Sequence, residues 1–130
     1  MSDWGGIPKD LDKYVGFVYI IYNLNNGRKY VGKKFFWKTV KYPPLKGRKN
    51  KRHRRKQSDW EEYWGSNREL LEDYERSNGE GFIRTILKPC ESKFDCAYYE
   101  LKEQLERDVL FKKEYYNEII NVRLRRQAQI

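Results

Sequence analysis

The chain has 130 residues, with 28 Lys and Arg, 19 Asp and Glu and one His, which gives a formal net charge of +9 at neutral pH. This length predicts one domain over residues 1–130. No apolar run approaches the roughly 20 residues of a membrane span, and the N-terminus lacks a signal-peptide pattern, so we expect a cytoplasmic location. Two cysteines, Cys90 and Cys96, with a single His are too few for a structural zinc site or a disulfide scaffold.

The positive charge is concentrated in residues 41–56, KYPPLKGRKNKRHRRK. Nine of these sixteen residues are Lys or Arg and none is acidic, so the rest of the chain carries 19 basic and 19 acidic residues. Such a charge has to meet an anion or stay solvated, and nucleic acid is the commonest dense polyanion. We therefore predict nucleic-acid contact, with these side chains as phosphate ligands: Lys46, Lys49, Lys51, Arg54, Arg55 and Lys56.

The elements before this run form a predicted hairpin. Residues 16–22 (GFVYIIY) are rich in β-branched and aromatic side chains and predict a strand. The Asn25-Asn26-Gly27 turn signal separates them from a second strand that begins at Arg28. Pro43 and Pro44 then interrupt regular structure. We interpret residues 36–57 as a basic insertion, in which the basic run after the Pro pair is expected to be a loop or a helix that forms only on contact.

The second half of the chain predicts helices and one more strand. A short helix follows Ser58 as far as Tyr63, and a capping box at residues 66–69 opens a second helix towards residue 76. Residues 82–87 (FIRTIL) predict a strand, and a weaker box at residues 92–95 opens a longer helix to about residue 110. The chain is therefore expected to be a small α+β domain with a three-stranded antiparallel sheet flanked by helices.

The hairpin is the most specific signal in the sequence. Residues 17–19 (Phe-Val-Tyr) and 30–32 (Tyr-Val-Gly) place two tyrosines, Tyr19 and Tyr30, eleven positions apart. This pattern resembles the signature of the GIY-YIG nucleases, although the first Gly of the motif is absent at position 17 and Gly16 precedes it. The resemblance spans roughly residues 16–121 and is closest to the phage-type, Seg-like homing endonucleases.

The resemblance implies a metal-dependent endonuclease that hydrolyses phosphodiester bonds of duplex DNA and is phage-encoded, acting in the host cytoplasm. It further implies a monomer, which would have to dimerise on DNA to cut both strands. By resemblance Tyr19 and Tyr30 are active-site residues, with Tyr19 in proton transfer; the alternative is ordinary cross-strand packing of two tyrosines.

The resemblance also implies one glutamate that holds Mg²⁺ or Mn²⁺. The predicted buried stripe of the longer helix consists of Ala97, Leu101, Leu105 and Val109. Helical phase then leaves Glu103 solvated and places Glu100 and Glu106 at the edges of the stripe. We choose Glu100 as the catalytic and metal-binding residue, since Asn117 follows at the distance that suits the family's terminal Tyr-Asn. The alternative for Glu100 is a solvated helix carboxylate.

The catalytic arginine of the family has no direct counterpart, because Val40 stands at the expected place, ten residues after Tyr30. We assign the role to the insertion and choose Arg48 and Arg52, with His53 as a proton relay or phosphate ligand. Further phosphate contacts are expected from Lys33 and Lys34, which follow Gly32, and from Ser66 at a helix start.

Two other functions stay open on the sequence alone. A non-catalytic nucleic-acid-binding module on the same fold would explain the imperfect first triplet and the displaced arginine. A protein-interaction domain would use the basic run for targeting or solubility. A carboxylate facing phosphates argues against the first, and the spacing of the two tyrosines argues against the second.

Overall fold

A computed structural model of the protein describes residues 3–127. It contains five strands and two α-helices, with short 3₁₀ helices at Leu11–Lys13 and Trp60–Glu62. The strands are β1 (Gly16–Asn23), β2 (Arg28–Phe35), β3 (Trp37–Tyr42), β4 (Arg52–Gln57) and β5 (Phe82–Cys90); the α-helices are α1 (Arg68–Arg76) and α2 (Lys93–Glu106).

The central sheet has three antiparallel strands in the order β2-β1-β5. Strand β1 lies in the middle and is buried on both faces, which explains why its sequence is a continuous apolar run without polar alternation. The predicted α+β class and the three-stranded antiparallel sheet are confirmed. The predicted β1–β2 hairpin is also confirmed, and Gly27 supplies the positive φ of its turn, at 76°.

A hydrophobic cluster covers each face of the sheet. One is aromatic and includes Phe17, Tyr19, Trp60 and Leu70 of α1. The other includes Val18, Ile20 and Cys96 of α2. Alternate residues of β1 therefore enter opposite clusters. Helix α1 begins next to the β2 edge, and α2 passes over it. The polar side chains described below converge at this edge.

Several predicted helix boundaries were wrong. The helix after Ser58 is only a 3₁₀ turn, although Trp60 is buried in the aromatic cluster as its apolar spacing predicted. Helix α1 is capped by Asn67, whose side chain accepts from Leu70 N, and not by Ser66. Helix α2 has the predicted cap at Ser92 but ends at Glu106, because Asp108 adopts a positive φ of 53°.

The basic insertion is only partly the predicted loop: residues 43–51, which begin at the Pro pair, form a loop, but residues 52–57 form a strand. Its ends pair as β3 and β4 in a separate two-stranded sheet, from Trp37 opposite Gln57 to Tyr42 opposite Arg52. The prediction failed because β4 (RHRRKQ) has no apolar alternation of its own; its partner β3 (WKTVKY) supplies the aromatic and β-branched residues that favour a strand. We call residues 37–57 the basic ribbon.

Within residues 3–127, no helix is both long and apolar enough to cross a membrane.

Candidate active site

A polar pocket of about 470 Å³ lies at the outer edge of β2, the edge that does not pair with β1. Strand β2 contributes from one side, the start of α1 from a second, and α2 with the segment after residue 116 from a third. The lining residues are Tyr30, Lys33, Ser66, Asn67, Arg68, Glu100, Gln104 and residues 117–122. The pocket therefore collects the second tyrosine, the glutamate and the asparagine that the sequence singled out.

Gly32 shapes the strand edge beside the pocket. A Cβ at this position would lie 2.6 Å from the Tyr19 hydroxyl and 3.0 Å from a Tyr30 ring carbon. Any larger residue would therefore displace the two rings, which lie on one face with centroids 6.3 Å apart. The glycine is needed for close approach of the rings and not for an unusual backbone angle.

The two tyrosines share a face but not an environment. Tyr19 is 1% exposed and does not line the pocket. Burial, followed by the neighbouring hydroxyl of Tyr63, raises its pKa well above the ordinary value of 10.0. Tyr30 is partly buried, lines the pocket, and has its hydroxyl 3.5 Å from Ser66 Oγ. Burial also raises the pKa of Tyr30, so both phenols are neutral near pH 7.

Glu100 faces the sheet and forms an ion pair with Lys33. The Lys33 Nζ to Glu100 Oε1 distance is 3.3 Å, with 18% of the Glu100 side chain exposed. Burial raises the pKa of Glu100 above its ordinary value of 4.5, while the Lys33 ammonium opposes the increase. Burial thus disfavours the ionised form of Glu100, and the Lys33 ammonium beside it favours that form.

The predicted buried stripe of Ala97, Leu101, Leu105 and Val109 holds at Val109, which lies beyond the end of α2 and is 1% exposed, but not within the helix. The fully buried positions of α2 are Cys96 and Gln104, whereas Leu105 is 57% exposed. Glu100 lies midway between Cys96 and Gln104 at four-residue spacing, so it is in the centre of the inward face and not at an edge. A pattern based on apolar residues could not find this face, because its central residues are polar.

Asn117 fixes the backbone of β2. Its Oδ1 accepts from Val31 N at 3.1 Å, and its Nδ2 donates to Val31 O at 2.9 Å. Gln104 Nε2 donates to the same carbonyl at 3.1 Å. The amide of Asn117 thus pairs with the strand edge as a neighbouring strand would, between Tyr30 and Lys33. Because Asn117 bonds Val31 with both polar atoms of its amide, it holds the strand edge in place beside the pocket.

The start of α1 forms the opposite wall. The Asn67 side chain caps the helix through Leu70 N, and its Nδ2 donates to Tyr116 O at 3.0 Å. Arg68 follows at the first helical position, with a side chain that is 92% exposed and a 3.5 Å ion pair to Glu72. The cap therefore anchors the helix to the segment that carries Asn117 and leaves a guanidinium at the pocket.

The remaining predicted residues lie away from the pocket lining. Lys34 lies on the face of β2 opposite to that of Lys33. There it pairs with Asp59 at 2.6 Å and covers the Tyr63 ring. Arg48 and Arg52 lie instead beside a separate shallow pocket in the ribbon. His53 is exposed on β4 opposite Lys41. The other predicted phosphate ligands, Lys46, Lys49, Lys51, Arg54, Arg55 and Lys56, are exposed on the ribbon.

Three residues that the sequence did not single out also line the pocket: Asn67, Arg68 and Gln104. Correct recognition of Asn67 as the cap would have placed Arg68 at the first helical position, next to Ser66. Gln104 carried a weaker signal: it lies one turn after Glu100 on the same face.

Comparison with known proteins gives one result. Searches of the curated proteins and of the solved structures found no significant match. The sequence profile of the family described as "Putative endonuclease segE, GIY-YIG domain" matches residues 6–120, which include the whole central sheet, both helices and the polar pocket up to Ile120. The chain therefore belongs to this GIY-YIG endonuclease family and is a nuclease, with nucleic acid as its substrate.

Proposed function

We propose that the pocket at the β2 edge is the catalytic centre of a metal-dependent endonuclease that cuts duplex DNA. The observation that carries this proposal is the meeting of Tyr30, Lys33 and Glu100 at one strand edge, with Glu100 half-buried and within 3.3 Å of Lys33. A partly buried pair of opposite charges in a polar cleft is typical of functional sites. The homing-type role in a phage, which the resemblance implies, is part of the proposal.

Glu100 would hold the Mg²⁺ or Mn²⁺ ion. These ions keep several water ligands and take one or two carboxylates, completing their shell from substrate phosphates. A single partly buried carboxylate in an open pocket fits that donor set. Among residues 3–127 there is no cluster of three or more His, Cys, Asp or Glu that could hold a metal unaided. When bound, the ion would neutralise charge developing on the phosphate and the leaving oxygen.

The protein's own groups would orient the reactants. Tyr30 stays protonated near pH 7, so its hydroxyl would hydrogen-bond the attacking water and not act as a preformed phenolate. Lys33 would exchange its pairing with Glu100 for the scissile phosphate. Asn117 would keep Tyr30 and Lys33 in register by holding Val31 between them. Tyr19 would support the Tyr30 ring from within the core.

Arg68 is our candidate for the phosphate-binding arginine in place of Arg48 and Arg52. Its side chain is exposed at the pocket, and among residues 3–127 its one ion pair is with Glu72, a helical turn away. Such an exposed pair contributes little stability, so the guanidinium can turn to a phosphate at small cost. The basic ribbon would hold the flanking backbone of the DNA through its lysines and arginines.

A plasmid-cleavage assay tests the metal dependence. The wild-type protein is incubated with supercoiled DNA at low salt in Mg²⁺, in Mn²⁺ and in EDTA, alongside Glu100→Ala. The proposal predicts cutting that EDTA abolishes, that added metal restores, and that Glu100→Ala lacks although it still binds DNA. Cutting in EDTA, or full activity of Glu100→Ala, would overturn the metal assignment.

Arginine variants test the phosphate contact separately. Arg68→Ala should lower the cleavage rate by about two orders of magnitude, as expected for loss of a charged group that stabilises the transition state. Arg48→Ala is the matched control, because that arginine lies in the ribbon and outside the pocket. A larger loss in Arg48→Ala than in Arg68→Ala would return the role to the ribbon.

A further inference from the structure

We infer that the basic ribbon enters the major groove of B-form DNA and reads base edges with the side chains of one face, Arg52 and Arg54 in particular. This inference rests on the proposed function in one respect only, that the substrate is duplex DNA. It goes beyond phosphate contact, which positions a protein on DNA but carries no sequence information.

One face of the ribbon is attached to the rest of the protein. The Arg55 guanidinium lies 3.8 Å from the Trp37 ring centroid and pairs with Asp12 at 2.9 Å. The Trp37 Nε1 donates to Tyr14 O at 3.0 Å. Because residues alternate between the faces of a strand, these contacts commit the Trp37 and Arg55 side of the ribbon to the body of the molecule.

The opposite face is free and strongly basic. It carries three cross-strand pairs: Lys38 opposite Lys56, Val40 opposite Arg54, and Tyr42 opposite Arg52. The side chains of Lys38, Arg54 and Lys56 form no hydrogen bond or ion pair with another residue among residues 3–127. Residues 37–57 include no Asp or Glu. Arg52 Nε donates to Pro43 O at 3.2 Å within the ribbon, so the face offers a ligand the terminal nitrogens of Arg52 together with Lys38, Arg54 and Lys56.

This arrangement is unfavourable without an anionic partner. Like charges directly opposite each other on neighbouring strands destabilise a sheet, and a two-stranded sheet is marginal by itself. The Lys38–Lys56 pair is such a juxtaposition. A polyanion that fits against the free face would remove the repulsion, so the structure is suited to a nucleic acid and not to an apolar or basic surface.

The dimensions and side chains favour a groove over a flat row of phosphates. The major groove of B-form DNA, about 12 Å wide, admits a two-stranded ribbon, and strands of six residues span about 20 Å. One guanidinium group donates two hydrogen bonds to a guanine, to its O6 and N7, and apolar side chains contact the thymine methyl. Arg52, Arg54, Val40 and Tyr42 supply both chemistries. The major groove of A-form RNA is too narrow for such readout, so the ligand is DNA.

Selection from a random-sequence duplex DNA pool tests the inference. The full chain carrying Glu100→Gln is used in EDTA, so that bound DNA is not cut. We expect enrichment of a short motif containing guanine, with protection of its N7 atoms from dimethyl sulfate. In this background Arg54→Lys keeps the positive charge but can no longer donate two parallel hydrogen bonds to one guanine. It should bind unselected duplex within about twofold of its parent and lose about tenfold or more of its preference for the motif.

Arg55→Lys is the matched control, because Arg55 neighbours Arg54 on β4 but faces the body; it should keep the motif. The inference is overturned if no motif is enriched, if Arg52→Lys and Arg54→Lys both leave the motif unchanged, or if a duplex RNA pool competes as well as DNA. A wild-type chain that binds the motif but does not cut DNA in Mg²⁺ or Mn²⁺ would refute the nuclease site alone. Cleavage without sequence preference would refute the ribbon's role alone.

Discussion

At the scale of residues, Tyr19 and Tyr30 differ mainly in access. Tyr19 is 1% exposed and lies against Tyr63, while Tyr30 reaches the pocket beside Ser66. A side chain can orient an attacking water only if its hydroxyl reaches that water. The resemblance alone assigned proton transfer to Tyr19; burial leads us to propose Tyr30 for the contact with water and Tyr19 for packing.

Conservative variants separate these roles. Tyr30→Phe should lower the single-turnover cleavage rate by about 10²- to 10⁴-fold, the usual range for a positioned proton-transfer group. Tyr19→Phe should change the rate less than tenfold and lower the free energy of unfolding by about 1 kcal/mol, since it removes one buried hydroxyl. Rates from plasmid cleavage and stabilities from urea unfolding give both numbers. A larger rate loss in Tyr19→Phe would reverse our assignment.

Glu100 makes stability depend on pH in a direction that follows from its burial. Its pKa in the folded protein is raised above the ordinary value of 4.5, so the folded state binds a proton more readily than the unfolded chain. Its contribution to stability is then fully present below pH 4.5 and is lost as the pH rises through the folded pKa. At neutral pH the ionised carboxylate therefore destabilises the fold.

Glu100→Gln should consequently raise the free energy of unfolding at pH 7 by on the order of 1 kcal/mol, and the gain should vanish near pH 4. Urea unfolding of the wild type and variant between pH 4 and pH 8 measures the difference. Glu106→Gln is the control, because Glu106 is exposed on the same helix and should show no such trend. Destabilisation by Glu100→Gln at pH 7 would mean that the Lys33 pair outweighs the burial.

At the scale of elements, the segment before α1 positions one wall of the pocket. Asn67→Ala removes the cap on Leu70 N and the bond to Tyr116 O, so it should lower the free energy of unfolding by about 1–3 kcal/mol. Ser66→Ala is the neighbouring control and should stay within about 0.5 kcal/mol, because Ser66 is not the cap. If urea unfolding showed equal losses of unfolding free energy in the two variants, Ser66 would be the cap, as the sequence predicted.

The basic ribbon should be less stable than the central sheet. It is a two-stranded sheet with opposed like charges, whereas β1 is buried between two strands. Hydrogen exchange should therefore be faster in β3 and β4 than in β1, and duplex DNA should slow it selectively in the ribbon. Exchange measured with and without DNA checks this. Equal protection in both sheets, unchanged by DNA, would contradict it.

The sequence predicts elements well where local signals and burial agree. The β1–β2 hairpin is such a case, because an apolar strand, the Asn-Gly turn signal and Gly32 all favour one geometry. It predicts poorly where polar residues occupy an inward face. On α2 the inward face carries Glu100 and Gln104, so the apolar pattern pointed to Leu105, which is exposed. The β4 strand depends on its partner β3, and no local pattern in RHRRKQ reveals it.

At the scale of the whole molecule, the separation of charge is the leading feature. The ribbon carries ten Lys and Arg and no Asp or Glu, while the remainder has 18 basic and 19 acidic residues. Counterion release gives a DNA-binding affinity that falls with salt, with a slope near 0.9 for each neutralised phosphate. The ribbon should therefore set most of that slope, and the body should set little of it.

Matched triple variants test this division. Replacing Lys46, Lys49 and Lys51 with Ala should reduce the slope of log affinity against log salt concentration by up to about three. Replacing Lys102, Lys112 and Lys113, which are equally exposed but lie outside the ribbon, removes the same charge and should change the slope by less than about one. Fluorescence anisotropy with a labelled duplex gives both slopes. Similar slopes in the two variants would mean that the charge acts without a preferred surface.

The most direct test of the central claim, that the pocket at the β2 edge is the nuclease centre, compares two glutamates of α2 in one assay. Cleavage of supercoiled plasmid in Mg²⁺ or Mn²⁺ is measured for wild type, Glu100→Gln and Glu106→Gln, with DNA binding measured in EDTA. We predict that Glu100→Gln loses at least about 10²-fold in rate but still binds DNA, and that Glu106→Gln matches the wild type. Cutting by Glu100→Gln at the wild-type rate would contradict the account and place the chemistry elsewhere.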